Sequence, residues 1–311
     1  MAGGFAHMVA TNQMVDDKRL NKIQMPDQAK AAVCANLKFC ELGAVAPDYP
    51  YLKLLNSGSK KWADNMHYIK TGDMIKSGIS QVRKLASPER ERALAWLLGY
   101  TSHVVMDLTI HPVVNARVGP YSENQAKHRS CEVNQDAYIL PRLNIGSTST
   151  AEYIKGGIAT VDDAGGSDII NKIWVAMLSE VYPDEAKINP PDPKAWHAAY
   201  TTLMDKIAEE GQRLPFSLGR HLLTVEGLAF PRDNEIDQSY IYDLISPGGT
   251  INYDELFNFA LENVGLWWGI VGSAVYEPHT NIDQIVNGDL DTGKLIGNDL
   301  YVFWSNHALT V

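Results

Sequence analysis

One stretch constrains this chain more than any other: Gly99-Tyr100-Thr101-Ser102-His103-Val104-Val105-Met106-Asp107-Leu108-Thr109-Ile110-His111-Pro112. His103, Asp107 and His111 fall at i, i+4 and i+8, and nearly everything between them is apolar. Residues four apart share one face of a helix, roughly 6 Å apart at Cβ. Burying a carboxylate and two imidazoles on such a face is costly unless they are paired or hold a metal. Each step of four drifts by about 40° and rises about 6 Å. His103 and Asp107 can therefore share one ion, while His111, about 12 Å along the axis from His103, suits a second. The stretch predicts a buried helix carrying a metal cluster.

The surrounding chain reads as helical too. Pro26-Asp27 opens a helix over about 27–42, and a second runs over 71–86. Ser87-Pro88-Glu89 then supplies an N-cap, a first-turn proline and an acid for the helix that carries the motif. Pro112 is expected to end that helix, since an interior proline removes a hydrogen bond and crowds the preceding turn. Further helices are expected over 123–144, 168–182, 193–211, 215–228 and 253–276. No run alternates with period two, so the fold class is all-α. Gly146 to Gly166, rich in Gly, Ser and Thr, is the best internal boundary. The tail 281–311 ends in Tyr301, Phe303 and Trp304, as a short strand or packing arm.

The nine histidines are unevenly spread: His7, His67, His103, His111 and His128 lie in the first 128 residues. His128 and Glu132 repeat the i, i+4 spacing. Imidazole nitrogen with carboxylate oxygen suits zinc. His197, His221, His279 and His307 lack an acidic partner that fits the motif and read as surface or satisfied core residues. Met8, Met14, Met66 and Met106 read as core fillers. In Trp267-Trp268, adjacent residues point about 100° apart, so one is expected in the core.

The excess of acids, 37 against 27 basic residues, argues against broad binding to a nucleic-acid backbone. Cys34, Cys40 and Cys131 form no CxxC pair and read as buried thiols of a reducing compartment. No signal peptide is visible as the sequence is written, which points to the cytoplasm or to a leaderless export route. The apolar runs fall short of the roughly 20 residues of a membrane span.

In order along the chain, Ala6-His7, Gly43-Ala44-Val45-Ala46-Pro47-Asp48-Tyr49, His67-Tyr68, the Gly99–Asp107 phrase, His111-Pro112 and His128 with Glu132 form a set. It resembles the zinc-dependent phospholipase C family, whose helical fold is shared with S1/P1-type nucleases. The resemblance implies an all-α phospholipase C/P1 nuclease-type fold over 1–280, with ligands in 1–145, further helices over 167–276 and a C-terminal extension. It implies two to three zinc ions: one on Asp48, His67, His103 and Asp107, a second on His111, His128 and Glu132, and a third on His7 with Asp107 as a bridge. Asp48 would also be the general base and Tyr49 a substrate contact. The family's third zinc is held by an N-terminal tryptophan. Here the first tryptophan is Trp62 and the Ala2 amine is the candidate substitute.

The implied activity is hydrolysis of a glycerophospholipid to diacylglycerol and a phosphorylated head group, with peripheral membrane contact and no transmembrane segment. The alternatives are a single-strand nuclease and a catalytically impaired, zinc-stabilised lipid-binding module.

Overall fold

The computed structural model describes residues 3–52, 57–143, 157, 161, 166–202, 231 and 233–304. At its centre is the helix predicted from the motif, here α7 in chain order, spanning Glu89–Val118. At 1.5 Å per residue its 30 residues run about 45 Å. Every residue from Ala93 to Val114 is buried, so α7 is enclosed on all sides, as a helix apolar all round must be. By length and composition α7 could cross a membrane, yet the whole of that window is buried inside the protein.

The helices around it are α1 (Gly4–Met14), α3 (Asp27–Ala35), α4 (Leu37–Val45), α6 (Thr71–Arg83), α8 (Tyr121–Ile139), α9 (Gly166–Val181) and α12 (Tyr253–Tyr276). Outside this shell are α2 (Asp17–Leu20), α5 (Ser57–Tyr68), α10 (Pro183–Ile188) and α11, described over 193–202. Short 3₁₀ turns and two short antiparallel hairpins join these helices. The hairpins are β1 (Leu244–Ser246) with β2 (Gly249–Ile251), and β3 (Gly288–Asp289) with β4 (Lys294–Leu295). The fold is all-α, as the missing period-two alternation required.

Three boundaries differ from expectation. The helix expected over 27–42 is two helices, broken at Asn36 (φ −129°, ψ 37°). The Asn36 side-chain amide donates to the Ala32 carbonyl at 2.8 Å and closes α3 locally. At the start of α7, Pro88 rather than Ser87 is the capping position, and the Ser87 hydroxyl donates to Glu91 instead. Pro112 does not end α7, which continues to Val118 and stops at Gly119 (φ +88°). The carbonyl that Pro112 leaves without its helical donor is that of Leu108, and Gly293 packs against both. A Cβ on Gly293 would lie 2.5 Å from that oxygen and 2.4 Å from the proline ring. Tertiary packing there supports the proline that local rules exclude.

The tightest crossing is α4 on α7. A Cβ on Gly99 would lie 1.8 Å from the Cys40 carbonyl oxygen, and one on Gly43 would lie 2.0 Å from that of Trp96. The two backbones therefore touch through glycine on both sides. Gly99→Ala is expected to push the helices apart and cost about 1–3 kcal/mol in denaturant unfolding. An unchanged midpoint would contradict this contact.

Trp267 and Trp268 are both buried, against the expectation of one. The Trp268 indole donates to Leu98 O (2.8 Å) and Ser102 Oγ (2.9 Å). Met8, Met14, Met66 and Met106 are core residues as expected. Cys40 and Cys131 are buried, but Cys34 is exposed, because it falls on the outer face of α3. The expected helix over 215–228, the end of that over 193–211, most of Gly146–Gly166, His221, His307 and Ala2 lie outside the described residues.

Candidate metal centre

Along α7, Asp107 stands between its two i±4 histidines. His103 Nε2 is 3.3 Å from Asp107 Oδ2, and His111 Nε2 is 3.3 Å from Oδ1. His7 arrives from α1, with Nε2 3.4 Å from Oδ1 and its ring stacked on His103 at 4.1 Å. His67 at the end of α5 and Asp48 in the 3₁₀ turn Ala46–Leu52 approach from the other side. His67 Nε2 lies 3.2 Å from Asp48 Oδ1 and 3.4 Å from His103 Nε2. Two trios converge to within 4.8 Å: His7, His103, Asp107 and Asp48, His67, His103. His111, His128 and Glu132 do not form a third trio of that tightness among the described residues.

Backbone carbonyls set the tautomers. His67 Nδ1 meets Ala63 O at 2.8 Å, His103 Nδ1 meets Ala44 O at 2.8 Å, and His111 Nδ1 meets Leu290 O at 2.6 Å. A carbonyl only accepts, so each Nδ1 carries a proton, and in the neutral ring each Nε2 presents a lone pair. His128 is reversed. Its Nε2 donates to Gly119 O at 2.7 Å, leaving Nδ1 as the lone-pair atom.

The lone pairs of His67 and His103 thus face each other at 3.4 Å, with nothing to donate between them. Tetrahedral zinc with ligand bonds of about 2.0–2.2 Å separates its donor atoms by roughly 3.3–3.5 Å. Neutral imidazoles and carboxylates at 3.2–3.4 Å, with their N–H groups turned to carbonyls, therefore fit a zinc site. The carbonyls are the outer supports that such ligands require.

Burial alone would raise the Asp107 carboxyl, but the imidazoles of His111 and His103 outweigh it and hold it well below the ordinary range. Asp48 behaves alike: burial pushes up, while His103 and His67 bring it below its usual value. Burial also lowers His111 to about 3, against the pull of Asp107. Between about pH 6.5 and 3 the unfolded chain binds a proton at this position that the folded protein refuses, so acid destabilises the fold. The chelated parent should lose stability relative to His111→Asn as the pH falls through that window. A constant difference in thermal unfolding would contradict it. The comparison cancels Asp136, whose carboxyl is pushed up to about 7 by burial and works in the opposite sense.

Of the two central carboxylates only Asp48 reaches solvent: its side chain is 20% exposed and that of Asp107 0%. A small, narrow cleft opens beside the centre, lined by Tyr51, His67, Tyr68, His111, Tyr121 and Asp291. Tyr49, expected at the substrate, is 1% exposed and stacks on Tyr200 at 4.6 Å, because the turn that aims Asp48 inward sends its neighbour into the core. A larger groove along α1, α2 and α12, edged by Lys18, Arg19 and Leu266, holds none of the histidines.

Several contributors escaped sequence reasoning. Leu290 O and Asp291 come from the turn between β3 and β4, inside the stretch read as a tail. The Leu290 amide also donates to His67 O at 2.9 Å. Nothing in the local sequence marks that role. Asp136 extends His128 and Glu132 by one more step of four, a readable signal.

Among curated proteins and among solved structures nothing matches this chain. A family model described as zinc dependent phospholipase C matches residues 6–189, more than half of the 311. The match covers His7, Asp48, His67, His103, Asp107, His111, His128 and Glu132. Helical fold, convergent His/Asp trios and family match agree: the chain belongs to the zinc-dependent phospholipase C family.

Proposed function

We propose that the protein hydrolyses the phosphodiester of a glycerophospholipid, releasing diacylglycerol and the phosphorylated head group. The observation that carries this reading is a pair of His/Asp trios that share His103, one of which places the partly exposed carboxylate of Asp48 beside the buried imidazoles of His67 and His103. In the proposed assignment Asp48, His67, His103 and Asp107 hold one zinc, His7 joins Asp107 at another, and His111, His128 and Glu132 serve a further one. When bound, zinc supplies Lewis-acid polarisation of the phosphoryl oxygens and makes water easier to deprotonate.

Asp48 remains ionised at neutral pH and accepts the proton of the attacking water at a carboxylate oxygen. The new bond forms between that water oxygen and phosphorus as the bond from phosphorus to the glycerol oxygen breaks. The diacylglycerol oxygen leaves as it takes a proton from solvent, and Asp48 gives up the proton it accepted to solvent. Tyr68 and Tyr121, whose hydroxyls are held protonated by burial, face the cleft as donors for substrate oxygens. The backbone carbonyls keep four histidines in the tautomers that leave their lone pairs inward.

Cleft charge favours lipid over nucleic acid. Among the described residues no lysine or arginine lines it, Asp291 does, and the chain carries a net charge of −10. A single strand would bring several phosphates past that surface. The test is turnover of the zinc-loaded protein on phosphatidylcholine, phosphatidylethanolamine and single-stranded DNA side by side. Diacylglycerol release from a lipid is the expected result. Faster cleavage of DNA would replace this reading with a nuclease. Lipid binding without turnover on any of the three would leave a binding module.

A further inference from the structure

His7 differs from the other four histidines of the centre. His67, His103, His111 and His128 each have one ring nitrogen tied to a backbone carbonyl. Among the described residues, neither ring nitrogen of His7 has a backbone carbonyl to hold it, although the residue is fully buried; its Nε2 faces only Asp107. With no carbonyl to tie its ring, its aim at Asp107 depends on where α1 lies and on its stacking against His103.

What places α1 is a carboxylate from another helix. The first amides of a helix have no partner within it. Here Gly3 offers no side-chain cap, and the first turn of α1 contains no acid. Asp136 of α8 supplies both needs: its carboxylate accepts from Ala6 N at 2.7 Å and from Phe5 N at 3.3 Å. When ionised, it lies where the helix dipole favours negative charge. The fit is close, because a Cβ on Gly3 would lie 2.1 Å from Asp136 Oδ2. Asp136 is 4% exposed and stands eight residues along α8 from His128. One face of α8 thus carries His128 and Glu132, and then the group that pins the helix bearing His7.

We propose that Asp136 is a positioning residue of the metal centre: by capping α1 it fixes the axial position of that helix and so holds His7 against Asp107. The inference rests on the zinc reading of His7. An anchor of this kind belongs with the outer supports whose loss weakens metal binding roughly 10–100-fold.

The test is zinc titration against a chromophoric chelator, which reads number and affinity separately. In Asp136→Ala one zinc should weaken at least about tenfold, while the others keep their affinity. Asp136→Asn, which retains an acceptor oxygen, should restore part of the loss. His7→Ala should weaken the same ion, and the double variant should be no worse than His7→Ala alone. Should Asp136→Ala fail to fold, Gly3→Ala, which crowds the carboxylate from the other side, should give the same selective weakening. A stability loss with all zinc affinities unchanged, a uniform weakening of every ion, or additive effects of His7→Ala and Asp136→Ala would overturn the proposal while leaving the zinc reading standing. A parent protein that binds no zinc would overturn both.

Discussion

Asp107→Asn is expected to lower the zinc content by at least one ion per chain and to cut turnover by roughly 10³-fold or more. The size follows from geometry. One carboxylate faces three imidazoles, with His7 and His111 nearest Oδ1 and His103 nearest Oδ2. An amide is nearly isosteric, so the fold is not asked to close a cavity. It has one weak acceptor and two donors, however, and cannot offer two anionic oxygens to two sides. The Lewis-acid contribution of a bound zinc is several kcal/mol, and each 1.36 kcal/mol is about a factor of ten in rate. Zinc analysis together with turnover checks the prediction. A variant with full zinc content and near-normal turnover would show that Asp107 bridges nothing.

Asp48→Asn is expected to behave differently, and the contrast separates holding metal from using it. Asp48 faces His67 and His103 at 3.2 and 3.9 Å, but it is also the carboxylate that meets solvent. The asparagine oxygen can still face the imidazoles, so zinc should remain, with lower affinity at that position. It cannot take a proton from water. Loss of a positioned general base costs about 10²–10⁴-fold. With zinc in excess, kcat should fall by that amount while zinc content stays at the parental value. If kcat is fully restored by excess zinc, Asp48 is a ligand only and the base lies elsewhere.

Which parts of this centre could be read from sequence follows from the range of the forces involved. His103, Asp107 and His111 were legible because an i, i+4, i+8 row on an apolar helix leaves few physical alternatives, and His128 with Glu132 repeats the spacing. His7, Asp48 and His67 come from three separate elements. No local periodicity joins them, and only the resemblance to a family placed them with the motif. The course of α7 past Pro112 was not legible, because what supports it is Gly293, 181 positions away in the chain. The carbonyls of Ala44, Ala63, Gly119 and Leu290, which decide which nitrogen each histidine turns inward, have no residue-type signature at all. Asp136 could have been found by extending the row on α8 one more turn. The burial of Tyr49 against Tyr200 is likewise not legible, because proximity to Asp48 in sequence says nothing about which of two adjacent side chains a 3₁₀ turn directs into the core.

Reconstitution decides whether this buried His/Asp set is a zinc-dependent phosphodiesterase centre. The protein is stripped by chelator, zinc is added back in measured equivalents, and bound zinc and diacylglycerol release from phosphatidylcholine and phosphatidylethanolamine vesicles are followed together. Two to three zinc ions per chain and a release rate that rises from nothing as they bind are the predicted result. A chain that binds less than one zinc, or that fills with zinc and cleaves neither lipid, would contradict it.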